Sequence, residues 1–151
     1  METTIRPLTS GDETAWRTLW RDYCAFYGQT LAPETTQTLW NRLMDADTPV
    51  NGAVAARADT DALLGFTHYV LHPHTWSDKT LCYLEDLYVS PEARGQNVGH
   101  ALISHLVETG TAQGWGRVYW HTETGNAPAR RLYDRFTSAD DFVRYTVKLP
   151  R

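Results

Sequence analysis

Long apolar runs are missing from this chain of 151 residues. No stretch approaches the ~20 apolar residues that span a bilayer, so no membrane-spanning helix is expected. The opening residues, Met-Glu-Thr-Thr-Ile-Arg-Pro, hold no apolar core of a secretory signal. Cysteine is scarce: Cys24 and Cys82 stand far apart, without His or Cys neighbours at metal-ligand spacing. They read as ordinary thiols of a reducing compartment, and the expected location is cytoplasmic. His72 and His74 flank Pro73, but no third or fourth ligand goes with them, so no metal is expected. A basic excess is absent too. The net charge is −4; residues 1–75 hold five basic and nine acidic side chains, and residues 76–151 hold nine of each. Without a basic stripe, a nucleic-acid partner is not expected. The acidic half suits a cationic substrate, or simply a well-solvated surface. No internal repeat and no low-complexity linker interrupts the chain, so residues 1–151 read as one domain.

Aromatic residues are plentiful: six Trp, eight Tyr and four Phe, within 42% hydrophobic residues. That suffices for one core. Thr3 to Leu8 reads as a first strand. Ser10-Gly11-Asp12-Glu13 reads as a capping-box start. Trp16, Leu19, Trp20, Tyr23, Cys24 and Tyr27 then recur at helical spacing up to Gly28. Pro33 opens a second helix carrying Leu39, Trp40, Leu43 and Met44. Val50–Ala58 and Leu63–Leu71 read as a hairpin around Asp59-Thr60-Asp61. Leu81–Val89 is a strand, and Val98, Leu102, Ile103, Leu106 and Val107 mark a helix ending between Gly110 and Gly114. Arg117–Thr122 is a strand, Ala129, Leu132, Tyr133 and Phe136 mark a short helix, and Phe142–Lys148 is a last strand. The order β-α-α-β-β-β-α-β-α-β predicts a mixed α/β (α+β) sandwich with helices on both faces of a central sheet.

The most informative stretch runs from Tyr83 to Ile103. An apolar strand enters the turn Ser90-Pro91, then the loop Arg94-Gly95-Gln96-Asn97-Val98-Gly99, then a helix. Free backbone N–H groups and the positive end of a helix dipole meet there, which is a phosphate-binding arrangement. Gly95 to His100 can supply the N–H donors, with Arg94 as a nearby cation.

The same loop resembles the acyl-CoA pyrophosphate loop of the GNAT N-acetyltransferase superfamily, whose pattern is Arg/Gln-x-x-Gly-x-Gly/Ala. Asn126-Ala127-Pro128-Ala129-Arg130-Arg131-Leu132-Tyr133 resembles that superfamily's second motif, Asn-x-x-Ala-x-x-Leu-Tyr. Tyr83-Leu84-Glu85-Asp86-Leu87-Tyr88-Val89 and Tyr119-Trp120-His121-Thr122 resemble the spermidine/spermine acetyltransferase branch and the Hpa-type enzymes beside it. The resemblance implies the GNAT fold, a mostly antiparallel mixed sheet flanked by helices. It also implies acetyl-CoA as cosubstrate, a small-molecule primary amine as acceptor, and a homodimer. One position departs from the pattern: the usual middle glycine is Asn97, the non-glycine residue type that best tolerates positive φ.

The resemblance assigns roles. Glu85 matches the general base of the polyamine branch, acting directly or through water. An amine with a reference pKa of about 10.4 must lose a proton before it attacks. Tyr133 matches the residue that places a hydroxyl near the CoA sulfur, where a phenol can protonate the leaving thiolate. Leu87, Tyr88 and Val89 would pair with the amide-rich pantetheine arm as an added strand. The loop residues Arg94, Gly95, Gln96, Asn97, Val98, Gly99 and His100 would hold the pyrophosphate. Asn126 would cap its helix or bond the arm, with Ala129 and Tyr133 beside it. Tyr23 and Tyr27 are candidates for the wall of the amine pocket. His121 is a candidate substrate contact or proton relay, placed by its strand beside the groove. Asp86 should point to the strand face opposite Glu85. The expected activity is direct acetyl transfer from acetyl-CoA to a polyamine, amino acid or lysine-like amine. The alternatives are a protein or histone lysine acetyltransferase and a non-catalytic acyl-CoA sensor.

Overall fold

The structure is a computed structural model that describes residues 2–150. The chain divides into two compact units, one ending at His121 and the other beginning at Thr122.

The first unit is built on a five-stranded sheet in the order β1-β2-β3-β4-β5. The strands are β1 (Thr3–Pro7), β2 (Val50–Arg57), β3 (Leu63–Pro73), β4 (Thr80–Val89) and β5 (Arg117–Tyr119). The first four pair antiparallel and β4–β5 pairs parallel, as expected for a mixed, mostly antiparallel sheet. Helix α1 is Glu13–Phe26, α2 is Pro33–Met44 and α3 is Val98–Gln113. Gly28, at φ 69°, follows α1 and Gly114, at φ 77°, caps α3, both in the left-handed region that glycine enters without penalty. Pro33 stands in the first turn of α2, where its missing N–H costs nothing.

Two hydrophobic clusters sit on opposite sides of the sheet. Leu19, Val54, Phe66 and Tyr88 pack with Trp20 and Tyr23 on the α1 side. Ala55, Leu64, Ala93, Val98 and Leu102 pack with Ile5, Leu87 and Val89 on the α3 side. Leu64 and Phe66 are two residues apart yet fall in different clusters. A register shift at Ala55/Ala56 inserts Leu64 as an extra residue and turns it to the other face. Next to it, Gly65 admits a close strand approach, since a Cβ there would lie 2.5 Å from the Tyr88 carbonyl oxygen.

Three local expectations need correction. The capping box lies one residue earlier than the sequence pattern placed it. Thr9 N–H donates to Asp12 Oδ2 at 2.8 Å, and Arg6 grips the same carboxylate at 2.8 Å, holding Asp12 below its ordinary pKa. The β5 strand ends at Tyr119, so Trp120, His121 and Thr122 lie past it. The expected last strand, Phe142–Lys148, is not formed. Apolar alternation marks a segment able to pair, but a strand exists only through bonds to a neighbour.

The second unit holds α4 (Ala127–Tyr133). Asn126 caps it, its Oδ1 accepting from Ala129 N–H at 3.3 Å. The Arg130 guanidinium donates to the Thr124 carbonyl and ties the preceding turn to the helix.

Candidate active site

The β4 strand carries Glu85, Leu87, Tyr88 and Val89, and its register explains how they are placed. His68 pairs with Asp86, but Tyr69 pairs with Leu84, so Glu85 is an extra residue in a β-bulge. The expectation that Asp86 lies on the face opposite Glu85 assumed an unbroken strand. Simple alternation breaks at the bulge. Asp86 reaches α1, and the charges that act on Glu85 are those of Asp86, His68 and His121.

Glu85 is exposed to solvent at its surface but lies among enough protein atoms to be desolvated. Desolvation pushes its carboxyl above the ordinary glutamate value, and neighbouring Asp86 pushes it further, while His68 and His121 oppose. A carboxylate shifted upward is a better proton acceptor near neutral pH. Glu85 accepts no hydrogen bond among the described residues, whereas Asp86 is held on both oxygens. Tyr23 Oη donates to Oδ1 at 2.8 Å, and His68 Nδ1 lies 2.9 Å from Oδ2. The Asp86 carbonyl also accepts from Thr67 Oγ1 at 2.8 Å.

Tyr23 and Tyr27 line a cavity of about 250 Å³ together with Trp20, Cys24, Gln29 and Leu31. Tyr23 thus joins an aromatic cavity wall to the Asp86 carboxylate through its hydroxyl. His121 is exposed, and its Nδ1 lies 3.3 Å from Tyr83 Oη with the rings 5.4 Å apart. A larger cavity, about 470 Å³, lies at the β3–β4 turn around His72, His74 and Asp78, away from Glu85 in the chain and in the ladder.

The loop after β4 has the backbone that the sequence predicted. Gly95 has φ 80° and Asn97 has φ 63°, both left-handed, and Asn97 directly precedes α3. The first-turn amides of α3 have no carbonyl to bond within the helix, which leaves donors for an anion. Arg94 Nε donates to the Val89 carbonyl at 3.2 Å and its guanidinium lies 5.9 Å from the centre of the Tyr88 ring. The loop is therefore strapped to the strand end by the cation proposed to meet phosphate. The β4–β5 ladder covers only Leu81–Tyr83, so Leu84–Val89 has no β5 partner along that edge. Amide-rich chains add to such an edge. These features fit a pyrophosphate with an amide-bearing arm.

In the second unit, Asn126 and Ala129 bond to each other as cap and first turn of α4, and Tyr133 is its last residue. Both cysteines of the first unit are free and buried. Burial pushes the Cys82 thiol up to about 12 and raises Cys24 as well, which disfavours both as nucleophiles.

The sequence did not single out His68. A polar Thr67-His68 pair inside an otherwise apolar strand was the available signal, since both are buried and both bond Asp86. The Arg94 strap and the bulge at Glu85 left no such mark.

A family model described as Acetyltransferase (GNAT) family matches residues 14–137. A curated relative, D-amino-acid N-acetyltransferase HPA3 of Saccharomyces cerevisiae, is 33% identical over 141 residues, covering 93% of this chain and 88% of the relative. Thialysine N-epsilon-acetyltransferase of Bos taurus is 31% identical over 78 residues, so the match spans 52% of this chain and 45% of that one. Among solved structures, AAC(6')-Iy in complex with the bisubstrate analog CoA-S-monomethyl-acetylneamine matches with TM-score 0.82 at 18% identity, covering 99% of this chain and all of that one. It shares the fold.

Proposed function

The chain belongs to the GNAT acetyltransferase family and is an N-acetyltransferase, and from that premise we propose that it transfers an acetyl group from acetyl-CoA to a primary amine by direct attack in a ternary complex. The observation that carries the proposal is one continuous unit of chain. A carboxylate in a bulge, Glu85, precedes an open strand edge, a left-handed loop and a helix N-terminus.

Acetyl-CoA, when bound, supplies the activated thioester. The chain's own residues do the rest. Gly95 to His100 offer N–H donors to the pyrophosphate, and Arg94 adds positive charge. Leu87, Tyr88 and Val89 offer backbone groups to the pantetheine arm, and an N–H at the end of β4 polarises the thioester carbonyl. Glu85 takes the proton from the incoming ammonium, directly or through water. Tyr133 gives a proton or hydrogen bond to the departing sulfur. Asn126 and Ala129 hold the start of the helix that carries it. His121 and the Tyr23–Tyr27 wall contact the amine. No acyl-cysteine is formed, which the raised thiols of Cys24 and Cys82 support.

Residues 1–151 work as one acetyltransferase domain in this proposal, because the family match crosses the boundary between the two units. The buried free cysteines favour a cytoplasmic location. A homodimer is supported by residues 138–149. Phe142, Val143, Tyr145, Val147 and Leu149 are 74–91% exposed, and this strand-patterned stretch buries them once it pairs with a second copy. Light scattering coupled to gel filtration tests that assembly.

The relatives' names put amino-acid amines first. A thiol-release assay with acetyl-CoA against D- and L-amino acids, thialysine, polyamines and a histone-tail peptide tests the whole proposal. Thiol release with a small amine supports it; release only with the peptide, or with no amine, defeats the small-amine reading.

A further inference from the structure

Two carboxylates stand side by side at the bulge, and their surroundings are unequal. Asp86 accepts at both oxygens, while Glu85 accepts nothing among the described residues. The chain of contacts behind Asp86 explains why it is the one that stays an acceptor. Trp16 Nε1–H donates to His68 Nε2 at 3.0 Å. An indole nitrogen can only donate. His68 Nε2 must therefore carry a lone pair, and its single ring proton sits on Nδ1, facing Asp86 Oδ2. His68 and Trp16 are both essentially fully buried, at 2% and 0% exposure, so water does not substitute for either contact. Trp20 and Phe66 crowd the imidazole, with ring centres at 5.2 and 4.6 Å, and hold its plane.

We propose that His68 is a positioning residue whose tautomer is locked by Trp16, and that with Tyr23 it holds Asp86 as a fixed negative neighbour that makes Glu85 the proton acceptor of the site. The proposal rests on the reading of Glu85 as the base, and it adds what sets that base. When two titratable groups share a site, the one already satisfied by donors keeps its charge and the other binds the proton. With Nε2 taken up by the Trp16 donor, the ring proton of His68 lies on the Asp86 side and fixes that carboxylate next to Glu85. The groups that act on Glu85 are Asp86 on β4, His68 on β3 and His121 after β5, with Tyr23 of α1 acting through Asp86.

Carbon-13 NMR of the side-chain carboxyls tests this without any substrate. The Glu85 resonance is identified by its loss in Glu85→Gln. Its titration midpoint should fall by about one pH unit in Asp86→Asn, because a like charge is removed. An unmoved midpoint would mean that desolvation alone sets Glu85, and overturns the proposal. Nitrogen-15 spectra of the wild-type imidazoles should show His68 protonated at Nδ1. In Trp16→Phe the second tautomer should become populated. Protonation at Nε2 in the wild type overturns the proposal even where Asp86→Asn does not fold. The acid limb of kcat/KM separates the two readings. If the carboxyl midpoint falls while the acid limb stays, Glu85 is not the base, yet its tuning by Asp86 stands.

Discussion

The two faces of the sheet are built from different interactions. The α3 face is aliphatic: Ala55, Leu64, Val98 and Leu102 meet without a polar atom among their side chains. The α1 face is aromatic and threaded by hydrogen bonds, from Trp16 through His68 to Asp86 and back to Tyr23. Close-packed aliphatic side chains stabilise in proportion to buried area and specify little about hydrogen positions. A buried polar chain contributes less net stability but fixes orientation and protonation, because each unmet group is costly. The α3 face is held by packing alone, and the α1 face adds to its packing a set of fixed hydrogen-bond orientations around Asp86.

Substitutions can break or sharpen this division. The largest effect is expected at the bulge. Glu85→Gln should lower kcat/KM roughly a thousandfold, with the melting temperature nearly unchanged. A protonated Glu85 cannot accept, so wild-type activity should rise with pH, through a midpoint above the ordinary glutamate range, consistent with its raised carboxyl. A thiol-release pH profile on both proteins checks this. On the opposite face, Leu102→Ala removes a fully buried side chain and should cost about 3 kcal/mol of stability by urea unfolding. The folded fraction should keep its pH profile; a shifted profile would erase the distinction between the faces.

Tyr133, from the second unit, tests whether chemistry is confined to the α1 face. Tyr133→Phe should lower turnover roughly a hundredfold while acetyl-CoA affinity stays nearly intact. Unchanged turnover would remove it from the acid role. The smallest effect is expected at Asn97. Its φ of 63° suits glycine at least as well, so Asn97→Gly should leave cofactor affinity unchanged or slightly higher by calorimetry. A large loss would mean that the Asn97 side chain itself contacts the cofactor.

Much of the fold is legible in the sequence because it rests on local signals. The caps Gly28 and Gly114, Pro33 at a helix start, and the 3.6 period of α1 are properties of short windows. The left-handed Asn97 is legible for the same reason. Segment 142–148 reads as a strand and is not one, because alternation reports only the capacity to pair. The face of Asp86 is not legible because a bulge is a relation between two strands, and β4 alone does not contain it. His68 escapes notice because its role depends on a tryptophan 52 positions earlier.

The sequence by itself determined most of the elements, the left-handed loop before α3 and the pair Glu85-Asp86, because these follow from residue type and near neighbours. Only the tertiary structure decided which carboxylate is held by donors and which, among the described residues, is not. That choice depends on the register of β3 against β4 and on donors brought in from α1. Both arise from packing between residues far apart in the chain, which no local pattern encodes.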